Sequence, residues 1–188
     1  MTENPCYCNQ KITRFVFNEN LWSPYTGVVM MIYSSTSKNN SIFSKQCSSF
    51  QEVNDSWFEN KKGEESRIEK FMEEKRHDVA EIFIDVHNLS IKNRYSKIMY
   101  KIIVNAKNYN IRLFLFTSHL QQIHSHCVSY IDLILEECSH LSKVGNVLSY
   151  VHHLDDYKEI VKKLEPIFKE DENISLIVWT RDRNIGYL

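Results

Sequence analysis

Glycine and proline are nearly absent, with four and three among 188 residues. No Pro/Gly/Ser-rich stretch interrupts the chain and no internal repeat divides it, which predicts one domain spanning 1–188. Residues 1–20 are read as a flexible or edge segment of it. An excess of one charge is lacking as well, with 23 Lys and Arg against 24 Asp and Glu. That balance argues against a generally basic nucleic-acid binder and disfavours strong autonomous DNA binding, leaving only a local basic patch open. Long uncharged apolar runs are missing too, so no membrane span is expected, and the first dozen residues hold nothing like a signal peptide. Cys6, Cys8, Cys47, Cys127 and Cys138 make an odd count without framework spacing. A reducing, intracellular compartment is the expectation.

What is present is enough apolar material for a core, 43% of residues, with 12% aromatic. Val28–Tyr33 is a short continuous apolar run, the mark of a strand buried on both faces. Ala80–Val86, Ile111–Phe116, Tyr130–Leu135 and Ile174–Thr180 read the same way. Between them lie amphipathic stretches. Residues 59–78 are highly charged with Ile68, Phe71 and Met72 at helical spacing, and Ile98, Met99, Ile102 and Ile103 line a helix reaching about Asn108. Asp155–Phe168 carries Ile160, Val161, Leu164 and Ile167 on one face, with Pro166 expected to kink or shorten it. Ile42–Phe50 offers a weak helix. Apolar strands alternating with such helices predict an α/β fold with a mainly parallel sheet covered on both faces.

Ligands of such sheets bind beyond the carboxyl ends of the strands. Three strand ends therefore carry the chemistry. The first leads into Ser34-Ser-Thr-Ser-Lys-Asn-Asn-Ser41. A phosphate cradle there needs converging backbone N–H groups, a lysine and a hydroxyl. Only Ser41 is where the hydroxyl belongs. Ser34 and Asn39 occupy the glycine positions, Asn40 the lysine position, and Lys38 comes two residues early. Read alone, the loop is an ordinary polar turn. The second end is Asp85, closing an apolar strand, able either to hold Mg²⁺ and polarise an attacking water or simply to cap the next loop. The third is Thr117-Ser118-His119, facing a phosphate or capping the following turn.

The order and filling of these segments resemble the genome-packaging ATPases of large DNA viruses, of the poxvirus and giant-virus type, in the FtsK–HerA class of P-loop NTPases. The likeness spans roughly residues 20–185 and is strongest over Asn105–Ile123. There Ala106-Lys107-Asn108 takes the place of the family's Gly-Arg-His-type triplet, Asn110 matches its Asn, and Thr117-Ser118 stands for Thr-Gln. Met30–Phe43 aligns with the strand and Walker A segment, Ile82–Asn88 with the Walker B strand, and Ile177–Arg183 with a late strand. The segment between loop and Walker B is short, which predicts a strand or helix lost there. The resemblance implies a RecA-like, ASCE topology and ATP and Mg²⁺ as cofactors. It implies nucleotide contacts at Ser34, Ser35, Lys38, Asn39, Asn40 and Ser41, metal contacts at Ser41 and Asp85, and catalytic roles for Asp85, Ser118 and Lys107. It also implies double-stranded DNA and ring-forming subunits as partners, and infected-cell cytoplasm or virion as the place of action.

The departures bear on activity. Asn40 has no charge for a β/γ-phosphate, one Walker B acid is apolar, Ser118 is too short for a glutamine's reach, and Lys107 lacks the fork of an arginine. Each such loss typically costs about 10²-fold or more, so a degenerate ATPase is expected. The alternative is a pseudo-ATPase subunit that binds a partner protein or DNA, with residues 59–78 and Arg181/Arg183 as contact surfaces. A zinc site at His124, His126, Cys127, Cys138 and His140, with Cys6 and Cys8 beyond, is a weaker rival because the spacings fit no common zinc pattern.

Overall fold

The computed structural model describes residues 12–14, 27–32, 51–60, 63–76, 80–137, 154–170, 176–180 and 185–187. Strands β1 (Thr13–Arg14), β2 (Gly27–Ile32), β3 (Gln51–Val53), β4 (Ala80–Asp85), β5 (Ile111–Thr117), β6 (Ile131–Glu137), β7 (Leu176–Thr180) and β8 (Ile185–Tyr187) join in one sheet. Their order is β1-β8-β7-β6-β2-β5-β4-β3. β6, β2, β5, β4 and β3 are parallel neighbours, and only β7 runs against the strands beside it. The mainly parallel α/β fold expected from the apolar runs is the one observed.

Position in the sheet explains composition. β2 lies between β5 and β6 and is buried along its whole length, so its Gly-Val-Val-Met-Met-Ile sequence needs no polar alternation. β4, one strand from the edge, alternates buried Ala80, Ile82 and Ile84 with half-buried Glu81, Phe83 and Asp85. Phe83 packs against Phe116 of β5 with ring centroids 4.9 Å apart.

Four helices are described: α1 (Arg67–Glu74), α2 (Ile91–Arg94), α3 (Lys97–Asn105) and α4 (Leu154–Glu170). The core joins Val28, Met30, Ile82, Ile84, Leu113 and Leu115 of the sheet to Met99, Ile102 and Ile103 of α3 and Ile68 and Met72 of α1. The charged helix expected over 59–78 is thus only eight residues long. Its start is set by a capping box: Ser66 Oγ accepts from Glu69 N at 3.4 Å, and Ser66 N donates to Glu69 Oε2 at 3.0 Å. Ser66→Ala is expected to lower stability by about 1 kcal/mol, read as a shift in the urea midpoint at unchanged slope.

α3 stops at Asn105 because Asn110 takes a left-handed φ of 54°, while Ile111 N donates to Ala106 O at 2.9 Å and turns the chain into β5. Pro166 does not shorten α4, which runs on to Glu170; a proline removes only one N–H from the ladder, and the helix keeps Leu164 fully buried on its apolar side. Between the serine loop and β4 the described residues hold β3 and α1. Residues 42–50 lie outside the described residues. No helix among the described residues is long and apolar enough to cross a membrane.

Candidate functional site

The topology brings three strand ends to one edge. Ile32, the last residue of β2, pairs with Thr117 of β5, and Asp85 of β4 pairs with Phe116, one residue before it. Asp85, Thr117, Ser118 and Ile32, beyond which the chain continues into the serine-rich sequence, share the carboxyl edge. Ser34, Ser35, Lys38, Asn39, Asn40 and Ser41 themselves lie outside the described residues. β5 separates the strand feeding the loop from the acid-tipped strand.

Asp85 is fixed by its own chain. Its Oδ1 accepts from His87 N at 3.0 Å and its Oδ2 from Asn88 Nδ2 at 2.8 Å, capping the short turn Val86–Asn88. An ionised carboxylate offers about four lone-pair positions, so two bonds aim the group without exhausting it. The loop-capping role weighed from sequence is therefore real, and a half-buried carboxylate held this way keeps capacity for a cation.

Thr117 is fully buried, and its Oγ1 stands 2.6 Å from Gln122 Oε1 and 2.8 Å from the His119 carbonyl oxygen. One hydroxyl proton serves only one of these at a time. Gln122 Nε2 lies 3.3 Å from His87 Nδ1, so an amide bridges the tip of β5 to the turn that holds Asp85. Gln122 and His87 were not singled out in the sequence reading. A glutamine is present at this edge after all, four residues beyond Ser118, delivered by the turn Leu120–Gln122. Ser118 is buried.

Glu136 was also missed. It pairs in register with Ile32 on the other side of β2, and its side chain is 2% exposed. Burial pushes its carboxyl up to about 8, against which the Trp179 indole, donating from Nε1 at 3.3 Å, stabilises the charged form. A carboxyl so perturbed at the carboxyl edge of a parallel sheet is the kind of group functional sites use.

Lys107 is not brought to this edge. It precedes β5, and its ammonium pairs with Asp132 Oδ1 at 2.5 Å at the start of β6. Asp132 Oδ2 also accepts from Val28 N at 3.0 Å, which ties the amino ends of β2 and β6 together. Lys107 and Asp85 thus stand at opposite ends of the parallel strands.

Of the candidate zinc ligands, only His124, His126 and Cys127 lie among the described residues. Cys127 is buried, and that burial raises its thiol to about 11. His124 spends its Nδ1 accepting from His126 N at 3.3 Å. Among the described residues no three His, Cys, Asp or Glu side chains gather to hold a metal ion; Cys6, Cys8, Cys138 and His140 fall outside them.

No protein-family model matches the chain, and no curated protein matches its sequence. Solved structures do. The genome packaging NTPase B204 from Sulfolobus turreted icosahedral virus 2, in complex with AMPPCP, is similar over 86% of this chain and 96% of its own, with a TM-score of 0.53 and 12% identity. The same protein in complex with ATP-gammaS gives a TM-score of 0.52 at 12% identity over 86% and 95% of the two chains. At that identity the likeness is one of fold: the chain has the P-loop NTPase-like α/β fold of a viral genome-packaging NTPase.

Proposed function

We propose that this chain is a DNA-handling domain descended from a viral genome-packaging ATPase of the FtsK–HerA class, with ATP hydrolysis weakened or lost. The observation that carries the reading is the carboxyl edge. An acid-tipped strand, a polar-tipped strand and the strand feeding a serine-rich loop end together, yet the lysine position of that loop is Asn40. Without that charge, phosphoryl transfer loses a main stabiliser of the developing negative charge. If nucleotide is still held, Asp85 and Ser41 are the residues for Mg²⁺, and Ser34, Ser35, Lys38 and Asn39 for the phosphates. Lys107 sits at the far edge, so it meets a phosphate only across a subunit boundary, on a neighbour in a ring. The second reading, a non-catalytic subunit that contributes ring or DNA contacts, is favoured over a working motor by Asn40 and by the absence of a second acid beside Asp85. Infected-cell cytoplasm or the virion is where such a protein acts.

The test is a titration with MgATP followed by steady-state phosphate release, on wild type and Asp85→Ala. Turnover at least about 10⁴-fold below an ordinary enzyme rate near 10 s⁻¹ is expected, with no change in Asp85→Ala. Steady turnover of order 1 s⁻¹ that Asp85→Ala abolishes would show a working motor.

A further inference from the structure

Between Asp85 and Asp132 the chain contains no acidic residue, although Asp and Glu together number 24 of 188. The same stretch holds Lys92, Arg94, Lys97, Lys101, Lys107 and Arg112. A protein with balanced charge thus carries a long segment with fixed positive charges and no negative ones.

The fold sorts these cations. Lys107 pairs with Asp132 and Arg112 with Glu81 at 3.0 Å, both at the amino-terminal edge. Lys101 pairs with Glu69 at 2.7 Å. Arg94 turns inward, donating from Nε to the Leu89 carbonyl at 2.7 Å and from a terminal nitrogen to the His87 carbonyl at 2.5 Å. Lys92 and Lys97 remain exposed, and no described carboxylate pairs with either.

Next to these two lysines along the chain come the large apolar side chains that the described surface leaves in solvent: Ile91 at 73%, Tyr95 at 47% and Tyr100 at 40% exposure. The Tyr95 hydroxyl donates to the Gln121 carbonyl, and the Tyr100 ring meets Tyr130 edge-on at 6.4 Å. These contacts join residues 91–100 to residues 119–130, where His119, His124 and His126 are also exposed. The bordering carboxylates are held by neighbouring backbone and amide groups. Asp55 accepts from Asn93 Nδ2 at 2.7 Å and Ser90 N at 3.0 Å, and these bonds hold its carboxyl below the usual range; Asp85 caps its own turn.

We propose that Lys92, Lys97, Tyr95 and Tyr100 form a nucleic-acid contact surface, with the ammonium groups on phosphates and the tyrosine rings against bases or sugars. Cations without a carboxylate partner among the described residues, beside exposed aromatic rings, match a polymer that alternates phosphate charge with flat apolar faces; an acidic protein would engage the lysines and make less use of the rings. The inference deepens the DNA-handling reading above by naming its surface, but it stands on charge and exposure, not on the nucleotide site.

The experiment is fluorescence anisotropy of labelled duplex and single-stranded DNA at several salt concentrations, without nucleotide. Wild type is expected to bind both, more weakly as salt rises. Lys92→Ala/Lys97→Ala is expected to bind about tenfold more weakly on every sequence, with the salt slope reduced by about 2. Tyr95→Ala/Tyr100→Ala, checked for native circular dichroism, is expected to weaken single-strand binding about tenfold and duplex binding less. Absence of wild-type binding at low salt, unchanged binding by the lysine variant, or displacement by poly-glutamate at the potency of DNA would each overturn the proposal. Because no nucleotide is present, a failed MgATP titration leaves this result intact. DNA binding that the lysine variant leaves unchanged removes this surface alone, whereas DNA binding accompanied by steady ATP turnover removes the weakened-ATPase reading and leaves the surface standing.

Discussion

Gly27→Ala is expected to destabilise the protein by about 3 kcal/mol or more, read as a large drop in urea midpoint. Two separate penalties produce it. Gly27 holds a φ of +140°, a conformation that side chains with a Cβ rarely adopt, and such strain costs about 1–3 kcal/mol. A Cβ there would also fall 2.2 Å from Asp132 Oδ2 and 2.9 Å from Lys107 Cε, so the buried carboxylate must move. Moving it breaks the bond to Val28 N and weakens the pair with Lys107. An N–H left unpaired in a buried strand costs about 1–3 kcal/mol more. A variant as stable as wild type would show that this knot of Gly27, Lys107 and Asp132 is not closed in solution. In a chain so poor in glycine, this one is placed where nothing else fits.

Glu136→Gln is expected to act in the opposite direction, and only above acid pH. The carboxyl ionises near 4.5 when free and at about 8 when buried in the fold. Between those values the folded state holds a proton that the unfolded chain has released. Stability is therefore fully present below about pH 4.5 and falls as pH rises towards 8, by roughly 1.4 kcal/mol per pH unit at most. Glutamine cannot ionise and still offers an oxygen to the Trp179 indole. The variant is expected to match wild type near pH 4.5 and exceed it by about 4 kcal/mol at pH 8. Parallel stability curves for the two proteins would mean that Glu136 reaches solvent.

The parts of the fold legible in the sequence are those whose burial is written continuously along the chain. β2, β5 and β6 show as apolar runs because central strands covered on both faces have little polar side to alternate with; β4 alternates but keeps Ala80, Ile82 and Ile84 buried, and antiparallel β7 is legible from its buried Ile177, Val178 and Trp179. β1, β3 and β8 are two or three residues long and bury too little to leave a pattern. Asp85 was legible as an acid closing an apolar run. Gln122 was not, because its value depends on a turn returning it to Thr117, a tertiary event with no periodic signature. Asp132 did leave a signal: an acid inside an apolar strand needs a partner, and asking for one leads to Lys107. The match at Asn110 has a local cause as well. A short polar side chain tolerates the left-handed backbone that ends α3, so part of the strongest resemblance reflects helix termination and carries no chemistry.

The central place of β2 also sets the order of events during synthesis. This strand emerges early, yet its two neighbours begin only at Ile111 and Ile131. At roughly 5–20 residues per second, about 80 residues separate it from its first partner, a wait of about 4–16 s. For that interval Gly-Val-Val-Met-Met-Ile has no strand beside it, and such an apolar segment with open edges is prone to self-association. Yield of soluble protein should therefore depend on translation speed between β2 and β5, and on whatever shields β2 meanwhile, more than on the stability of the finished fold.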